Sequence, residues 1–462
     1  MEKPFRGRSA ELLALDQKFR QQGFVLTVLQ GRRRIGKTRL VTQFMKGHPC
    51  RSIFFSAAER AEPELLSMMS ETVLEALAPD LAGTISFASF EQICDFIGIQ
   101  AAKERIIFAI DEYSCLAKQC PYIQSVLQKI IDTRWQNTSL FLILCGSPAD
   151  FMRDEVLGET SPLHGKADLE LSLRPFNYLE TAMFLEGFTW EEKAICYGLT
   201  GGAAGYIEQF DTRSSLDENI MRLFYSLNSY FNEDLIRTTI SSGKQNPAIY
   251  NSIISAVATG HTRNSAIASF TGADDVSYPL RVLVGAGVLE KRMSQKPCYA
   301  LKDSMLAFWF RYVNRAVSLI GAGRGEAYYM SRVKPCLHDF MGQIFAKISR
   351  EYLLMHAGLD GIPHITEISG YQATHEDDTG QSQQIAIDLA GRADGRILLA
   401  GACKFRKDPF DRGDLDKFLD QIRFLPATDP WLGVFALGGF TEDVRKDPGK
   451  CHLIAIDDMY PP

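Results

Sequence analysis

The stretch that decides the fold reads FVLTVLQGRRRIGKTRLVTQFM, from Phe24 to Met45. Phe24 to Gly31 is a β-rich apolar run that stops at a glycine, and Lys37 to Met45 continues with helical spacing, so the order is strand, loop, helix. The loop fits G-x-x-x-x-G-K-[ST], with Gly31, Gly36, Lys37 and Thr38 at the fixed positions. Glycine lets the backbone wrap closely around phosphate oxygens, and the amides of a new helix N-terminus face the anion. Lys37 is expected to neutralise the β and γ phosphates of ATP, and Thr38 to set its hydroxyl on Mg²⁺. Arg32, Arg33 and Arg34 crowd the loop, where they either raise the local positive potential or remain solvated. With Ile35 and Arg39 they complete the expected nucleotide-contacting set.

About seventy residues on, RIIFAIDEY places five apolar residues, Ile106 to Ile110, immediately before Asp111 and Glu112. A buried parallel strand with acids at its carboxyl end has this pattern. Asp111 is expected to hold the magnesium through water, and Glu112 to polarise the attacking water. A third apolar run, Leu140 to Cys145 in SLFLILCGS, ends at Gly146 and Ser147. Ser147 either senses the γ-phosphate or belongs to a plain turn. The expected catalytic residues are therefore Glu112, Lys37 and Ser147, with Thr38 and Asp111 at the metal.

The rest of the composition sets bounds. A chain of 462 residues exceeds what one hydrophobic core usually supports, which predicts three or four modules. Hydrophobic residues at 46% and charged ones at 23% argue against long disorder or a fibrous fold. With a net charge of -6, nucleic-acid affinity has to come from a local basic face. The ten cysteines include no CxxC pair and no histidine spacing suited to zinc, and read as free thiols in a reducing cytosol. No apolar h-region follows Met1, and no run of about 18 apolar residues occurs, so a cytoplasmic protein without a membrane anchor is expected.

These residues resemble the archaeal-type ATPase family, a branch of the AAA+ and STAND P-loop ATPases. The matching signatures are FRGRSAEL at Phe5 to Leu12, GRRRIGKT, AIDEY, CGSPADFM at Cys145 to Met152, SPLHGK at Ser161 to Lys166 and LRPF at Leu173 to Phe176. Together they span nearly the first 210 residues. The resemblance implies that Arg8 helps close the nucleotide pocket and that Ser147 acts as sensor. Two departures stand out. Lys166 occupies the place of a candidate arginine finger, and lysine lacks the planar fork. The later GGxPxY motif reads Gly201, Gly202, Ala203, Ala204, Gly205, Tyr206, without its proline. Slow or partner-dependent hydrolysis is expected.

The expected modules are a P-loop ATPase core over 1–175, a helical lid over 176–235, a winged helix-turn-helix over 236–315 and a C-terminal domain over 325–462. Phe184, Leu185, Ile195 and Leu199 carry the helical spacing of the lid. Residues 248–301 read helix, helix, helix, hairpin, with Val276 to Gly285 as recognition helix and Glu290 to Leu301 as wing, carrying Lys291, Arg292 and Lys296. Double-stranded DNA and a protein interface are both open for this module, because Asp274 and Asp275 sit where phosphates would lie and read better as helix caps. Arg281 is the one basic side chain inside that helix. FWFRYV, Phe308 to Val313, reads as a buried seam.

The C-terminal segment resembles PD-(D/E)xK nucleases through IDLAGRADGRILLAGACKF, Ile387 to Phe405. Asp388 and Lys404 fit that pattern, whereas Ala402 stands where the metal-binding glutamate belongs and Ala346 replaces a helix residue that is often glutamate in relatives. Alanine offers a hard cation no oxygen, so a restriction-endonuclease-like α/β domain kept for binding or assembly is expected, unless Glu367 substitutes. The preferred reading of the whole is an ATP-dependent molecular switch acting on a partner, DNA or protein, with self-association left open. Its rivals are an ATP-dependent DNA-processing nuclease and a non-catalytic nucleotide-bound scaffold.

Overall fold

The computed structural model describes residues 4–147, 151–227, 229, 231, 247–292, 297–376, 382–427 and 429–460. Lys296 of the expected wing and Pro148 to Asp150 of the CGSPADFM signature lie outside the described residues. The chain divides into two compact units, Met1–Phe176 with Ala203–Gly205, and Asn177–Gly202 with Tyr206–Pro462.

The first unit is a parallel sheet with helices on both faces. In chain order it contains α1 (Ser9–Phe19), β1 (Val25–Gln30), α2 (Lys37–Lys46), β2 (Arg51–Ser56), α3 (Glu62–Leu77), α4 (Phe90–Ala101), β3 (Ile106–Asp111), α5 (Tyr113–Gln119), α6 (Ile123–Thr133), β4 (Leu140–Gly146) and β5 (Leu169–Ser172). The strands lie in the order β2-β3-β4-β1-β5, every pair parallel. Strands covered on both faces need no polar alternation, which is why β3 and β4 read as unbroken apolar runs and are buried at every position.

Side chains still alternate between the faces. Leu140, Leu142 and Leu144 join a core with Met69 and Val73 of α3, Ile93 and Ile97 of α4, and Leu127 and Ile130 of α6. Phe141, between them, meets Phe19 of α1 at 5.6 Å and Phe44 of α2 at 5.3 Å between ring centroids. Each such buried side chain contributes roughly 1.5–3 kcal/mol, so the two faces fix the angle at which α2 leaves the loop after β1. Register then gathers the motifs. Gln30 pairs with Gly146, and Ile110 with Leu144, so the ends of β1, β3 and β4 fall level at one edge of the sheet.

The second unit opens with helices Tyr178–Ala182 and Trp190–Thr200, each begun by a reciprocal capping box, Asn177 with Glu180 and Thr189 with Glu192. Helices Pro247–Ala258, Asn264–Thr271 and Ser277–Gly285 lead into an antiparallel hairpin of β6 (Leu289–Arg292) and β7 (Cys298–Leu301). The third helix starts one residue later than the sequence suggests, with Val276 at its N-cap. Of the two aspartates read as caps, Asp275 accepts the Ser277 amide at 2.8 Å. In the FWFRYV stretch Phe308, Trp309, Phe310, Tyr312 and Val313 are buried, with Phe308 5.1 Å from Phe224 and 5.3 Å from Phe340, while Arg311 is exposed. Alternation of large apolar side chains around one cation marks a seam, as the sequence predicts.

A second sheet follows helix Leu337–Met355: β8 (Glu367–Glu376), β9 (Ser382–Ala393), β10 (Arg396–Lys404), β11 (Trp431–Ala436) and β12 (Cys451–Ala455). Its order is β12-β11-β10-β9-β8, antiparallel from β8 to β10 and parallel from β10 to β12. Phe345 and Tyr352 of the long helix pack on Phe405 and Phe435. The molecule is thus mixed α/β, with a parallel-sheet P-loop fold in its first unit. No helix among the described residues is long and apolar enough to cross a membrane.

Candidate nucleotide-binding site

The loop between β1 and α2 closes into a tight cradle. Gly31 has φ 157° and Gly36 φ 94°. A Cβ on Gly31 would lie 2.3 Å from Ile35 Cδ1 and 2.9 Å from the Leu173 carbonyl, so only glycine lets the chain turn here. Ile35 is fully buried and pins the loop from within, whereas Arg32, Arg33 and Arg34 face solvent. Arg34 itself is left-handed, at φ 68°. Its carbonyl accepts the Gly205 amide at 2.7 Å, so the segment Ala203–Gly205 rests on the loop.

Lys37, 6% exposed, lays its ammonium across the cradle and donates to the Gly31 and Arg32 carbonyls at 2.8 and 2.9 Å. Burial pushes this ammonium below the ordinary lysine value, and Arg33 acts in the same direction. Opposing charge comes from Glu112 and Asp111. Cys145 lies against the same group, but burial holds its thiol well above the usual value, so it stays neutral and the two acids carry the field.

Thr38 Oγ1 donates to Asp111 Oδ2 at 2.6 Å, and the other Asp111 oxygen accepts the Glu112 amide at 3.0 Å. Glu112 sits at φ 51°, a left-handed step between β3 and α5 that turns its side chain away from the strand. Ser147 Oγ donates to Glu112 Oε2 at 3.2 Å. The structure therefore brings Lys37, Thr38, Asp111, Glu112 and Ser147 to one place.

The remaining expected residues do different work. Arg8, 5% exposed and at φ 60°, donates to the carbonyls of Ile35 at 3.0 Å and Arg174 at 2.7 Å, pairs with Glu11 at 3.0 Å and lies 4.2 Å above the Phe176 ring. It grips the loop by a carbonyl. Arg39 reaches the Pro4 carbonyl at 3.0 Å. Lys166 is bound to Asp132 of α6 at 2.6 Å. In the second unit Asp388 on β9 accepts the Cys403 amide at 2.8 Å, and burial raises its carboxyl above the usual range. Lys404, at the end of β10, lies 3.9 Å from Asp414. Ala402 is buried between them in sequence and adds no oxygen.

Sequence reasoning gave no role at the site to three residues, although Cys145 and Gly205 stand within its quoted motifs. Ser114 donates to the Ser147 carbonyl at 2.5 Å, Cys145 lines the floor beside Lys37, and Gly205 touches Arg34. Ser114, three residues past Asp111, is a serine at a helix start, which ordinarily reads as local capping.

A P-loop cradle on a parallel sheet, with acids at the end of the strand next but one, defines a nucleotide-binding ATPase. Residues 5–210 match the model of an ATPase domain predominantly from Archaea, and residues 309–415 match a family of archaeal and bacterial proteins of unknown function. An uncharacterized protein of Methanocaldococcus jannaschii is 28% identical over 372 residues, 78% of this chain and 79% of that protein. Among solved structures, a Walker-type ATPase of Pyrococcus abyssi is similar at 17% identity and TM-score 0.49, over 66% of this chain and 96% of its own. The ORC2 protein of Aeropyrum pernix, in ADPNP and ADP complexes, is similar at 13% identity and TM-score 0.43, over 71% and 97%.

Proposed function

We propose that the chain is an ATP-hydrolysing molecular switch of the AAA+/STAND type that uses Mg²⁺. The observation that carries this is the joining of Thr38, Asp111, Glu112 and Ser147 in one hydrogen-bonded row beside the sealed Lys37 ammonium. Lys37 would exchange its two loop carbonyls for phosphate oxygens. Thr38 and Asp111 suit magnesium, since the hydroxyl keeps lone pairs and the carboxylate is adjacent. No cluster of three or more His, Cys, Asp or Glu among the described residues is placed for a metal, so phosphate and water would supply most of the coordination. Glu112 would accept the proton of the attacking water, and Ser147 would sense the terminal phosphate.

For the second unit, the order of three helices and a hairpin, with Lys291 and Arg292 exposed on β6, supports a winged helix that meets DNA or a protein. Arg292 pairs with Glu290 and Asp275 is committed to the helix start, which lowers the positive field at that surface. The domain built on β8 to β12 is read as a degenerate nuclease-like module without cleavage activity, because Asp388 is engaged with a backbone amide and Ala402 contributes no carboxylate.

Phosphate release by purified protein tests the central reading. Lys37→Ala and Glu112→Gln should both lose turnover, with Glu112→Gln still binding nucleotide; equal release by all three proteins rejects the switch. Incubation of plasmid with Mg²⁺ or Mn²⁺ should leave it uncut, and cleavage abolished by Asp388→Ala would reverse the assignment of the C-terminal domain.

A further inference from the structure

Ser114 lies on the first turn of α5, two residues past Glu112, and is 1% exposed. Its hydroxyl donates to the carbonyl of Ser147, at 2.5 Å, and the Ser147 hydroxyl donates in turn to Glu112 Oε2 at 3.2 Å. The three residues close a ring: Glu112 leads through α5 to Ser114, Ser114 holds the end of β4, and β4 returns Ser147 to Glu112. Nothing in the nucleotide-contacting set explains the first of these bonds, because Ser114 points to a backbone oxygen and not into the cradle.

A hydroxyl carries one proton. When Ser147 donates to Glu112 it cannot donate to a phosphate oxygen, and a carboxylate that accepts this bond has part of its basicity engaged. The position of that proton therefore decides whether Glu112 is held or free. We propose that Ser114 is a positioning residue for hydrolysis, which fixes the Ser147 hydroxyl where the one hydrogen bond it donates turns from Glu112 to an oxygen of a terminal phosphate, the proton staying on Ser147. A triphosphate then frees Glu112 for water, and a diphosphate leaves it held. The inference rests on the ATPase reading above and adds to it a link between the terminal phosphate and the base.

The link is tested in the full-length protein with Ser114→Ala, Ser114→Cys, Ser114→Thr, Ser147→Ala and the Ser114→Ala/Ser147→Ala pair. Turnover should fall about tenfold in Ser114→Ala and in Ser114→Cys, which keeps the volume but donates weakly, with ADP affinity changed by less than about twofold and ATP affinity lowered toward it. Ser114→Thr should restore turnover. In the Ser147→Ala background the Ser114→Ala change should have no further effect, because it acts through the missing hydroxyl. An equal fall in both backgrounds, or a loss of ADP affinity parallel to the loss of turnover, overturns the proposal in favour of a merely structural serine. Calorimetry separates its failure from that of the ATPase reading. If the wild type binds ATP without releasing phosphate, the ATPase reading fails, while the preference for ATP over ADP still decides: it should narrow in Ser114→Ala only when Ser147 is present. An unchanged preference counts against Ser114.

Discussion

Thr38 and Asp111, 73 positions apart in the chain, share a hydrogen bond of 2.6 Å that ties the first turn of α2 to the end of β3. The bond is charge-assisted, and so orients the hydroxyl with its lone pairs directed away from the carboxylate. Thr38 is exposed while Asp111 is buried, which leaves the hydroxyl as the side of the pair a cation can reach.

Removal of that hydroxyl should therefore act on magnesium before it acts on the fold. Thr38→Ala is expected to weaken nucleotide binding in the presence of Mg²⁺ by about 10- to 100-fold, and much less in EDTA, while Thr38→Ser stays near wild type. Titration calorimetry with and without the metal reads the difference. Equal weakening under both conditions would show that Thr38 serves the phosphates and not a cation.

Lys37 predicts a pH dependence whose sign follows from its burial. The folded-state pKa lies below 10.5, so the ammonium loses its proton at a lower pH than a free lysine. Between the lowered value and 10.5 the unfolded chain binds more protons than the folded one, so apo stability rises with pH across that window. Affinity should move the other way, because the charged form is the phosphate ligand. Nucleotide binding is expected to fall as pH rises toward 10, and apo Lys37→Met should be more heat-stable than apo wild type near pH 7. A pH-independent affinity up to 10, measured by fluorescence titration, would reject the role given to Lys37.

The sequence disclosed the elements and the motif residues of the first unit because both are local. Apolar runs before Gly31, Asp111 and Gly146 mark buried parallel strands, and parallel pairing then forces their ends into register. What it withheld are side-chain commitments across long separations. Nothing local to Arg8 says that its guanidinium meets the carbonyls of Ile35 and Arg174, and nothing local to Ser114 points to Ser147. Asp388 shows the same limit. Its strand was legible, but its engagement with the Cys403 amide depends on the pairing of β9 with β10.

Arg8 illustrates how strong such a commitment can be. Its buried guanidinium satisfies two backbone carbonyls and pairs with Glu11. Arg8→Ala strands those acceptors and should destabilise the first unit by about 2–4 kcal/mol, with nucleotide affinity falling as the loop loosens. Arg8→Lys should not rescue it, since an ammonium lacks the fork that reaches both oxygens. Differential scanning calorimetry checks this, and a lysine variant with wild-type stability would contradict it.

Lys166 holds the position at which the resemblance suggests a finger. Its ammonium is bound to Asp132, and the pair is partly exposed, at 22% and 42% of the side chains. Such a pair contributes about 0.2–1 kcal/mol. Lys166→Ala should therefore change turnover by less than about twofold, far from the loss of a thousandfold or more that follows removal of a true finger. A large fall in steady-state phosphate release would show that Lys166 leaves Asp132 during catalysis.

Gly205 closes the cradle from a segment far along the chain. A Cβ at this position would come within 3.2 Å of both Arg34 Cδ and the Arg34 carbonyl, the same carbonyl that accepts the Gly205 amide. The side chain of Arg34 can swing aside, but its backbone is held in a left-handed step between Gly31 and Gly36 and has little room to move. An added methyl group must then shift Ala203–Gly205 against the loop by a few tenths of an ångström, at a strain of about 1–3 kcal/mol. Gly205→Ala should lower both the melting temperature and the affinity for ATP and ADP alike, because the cradle supports phosphates common to both. Gly205→Val should do so more strongly. If Gly205→Val binds nucleotide as the wild type does, the Ala203–Gly205 segment rests on the phosphate loop without supporting it.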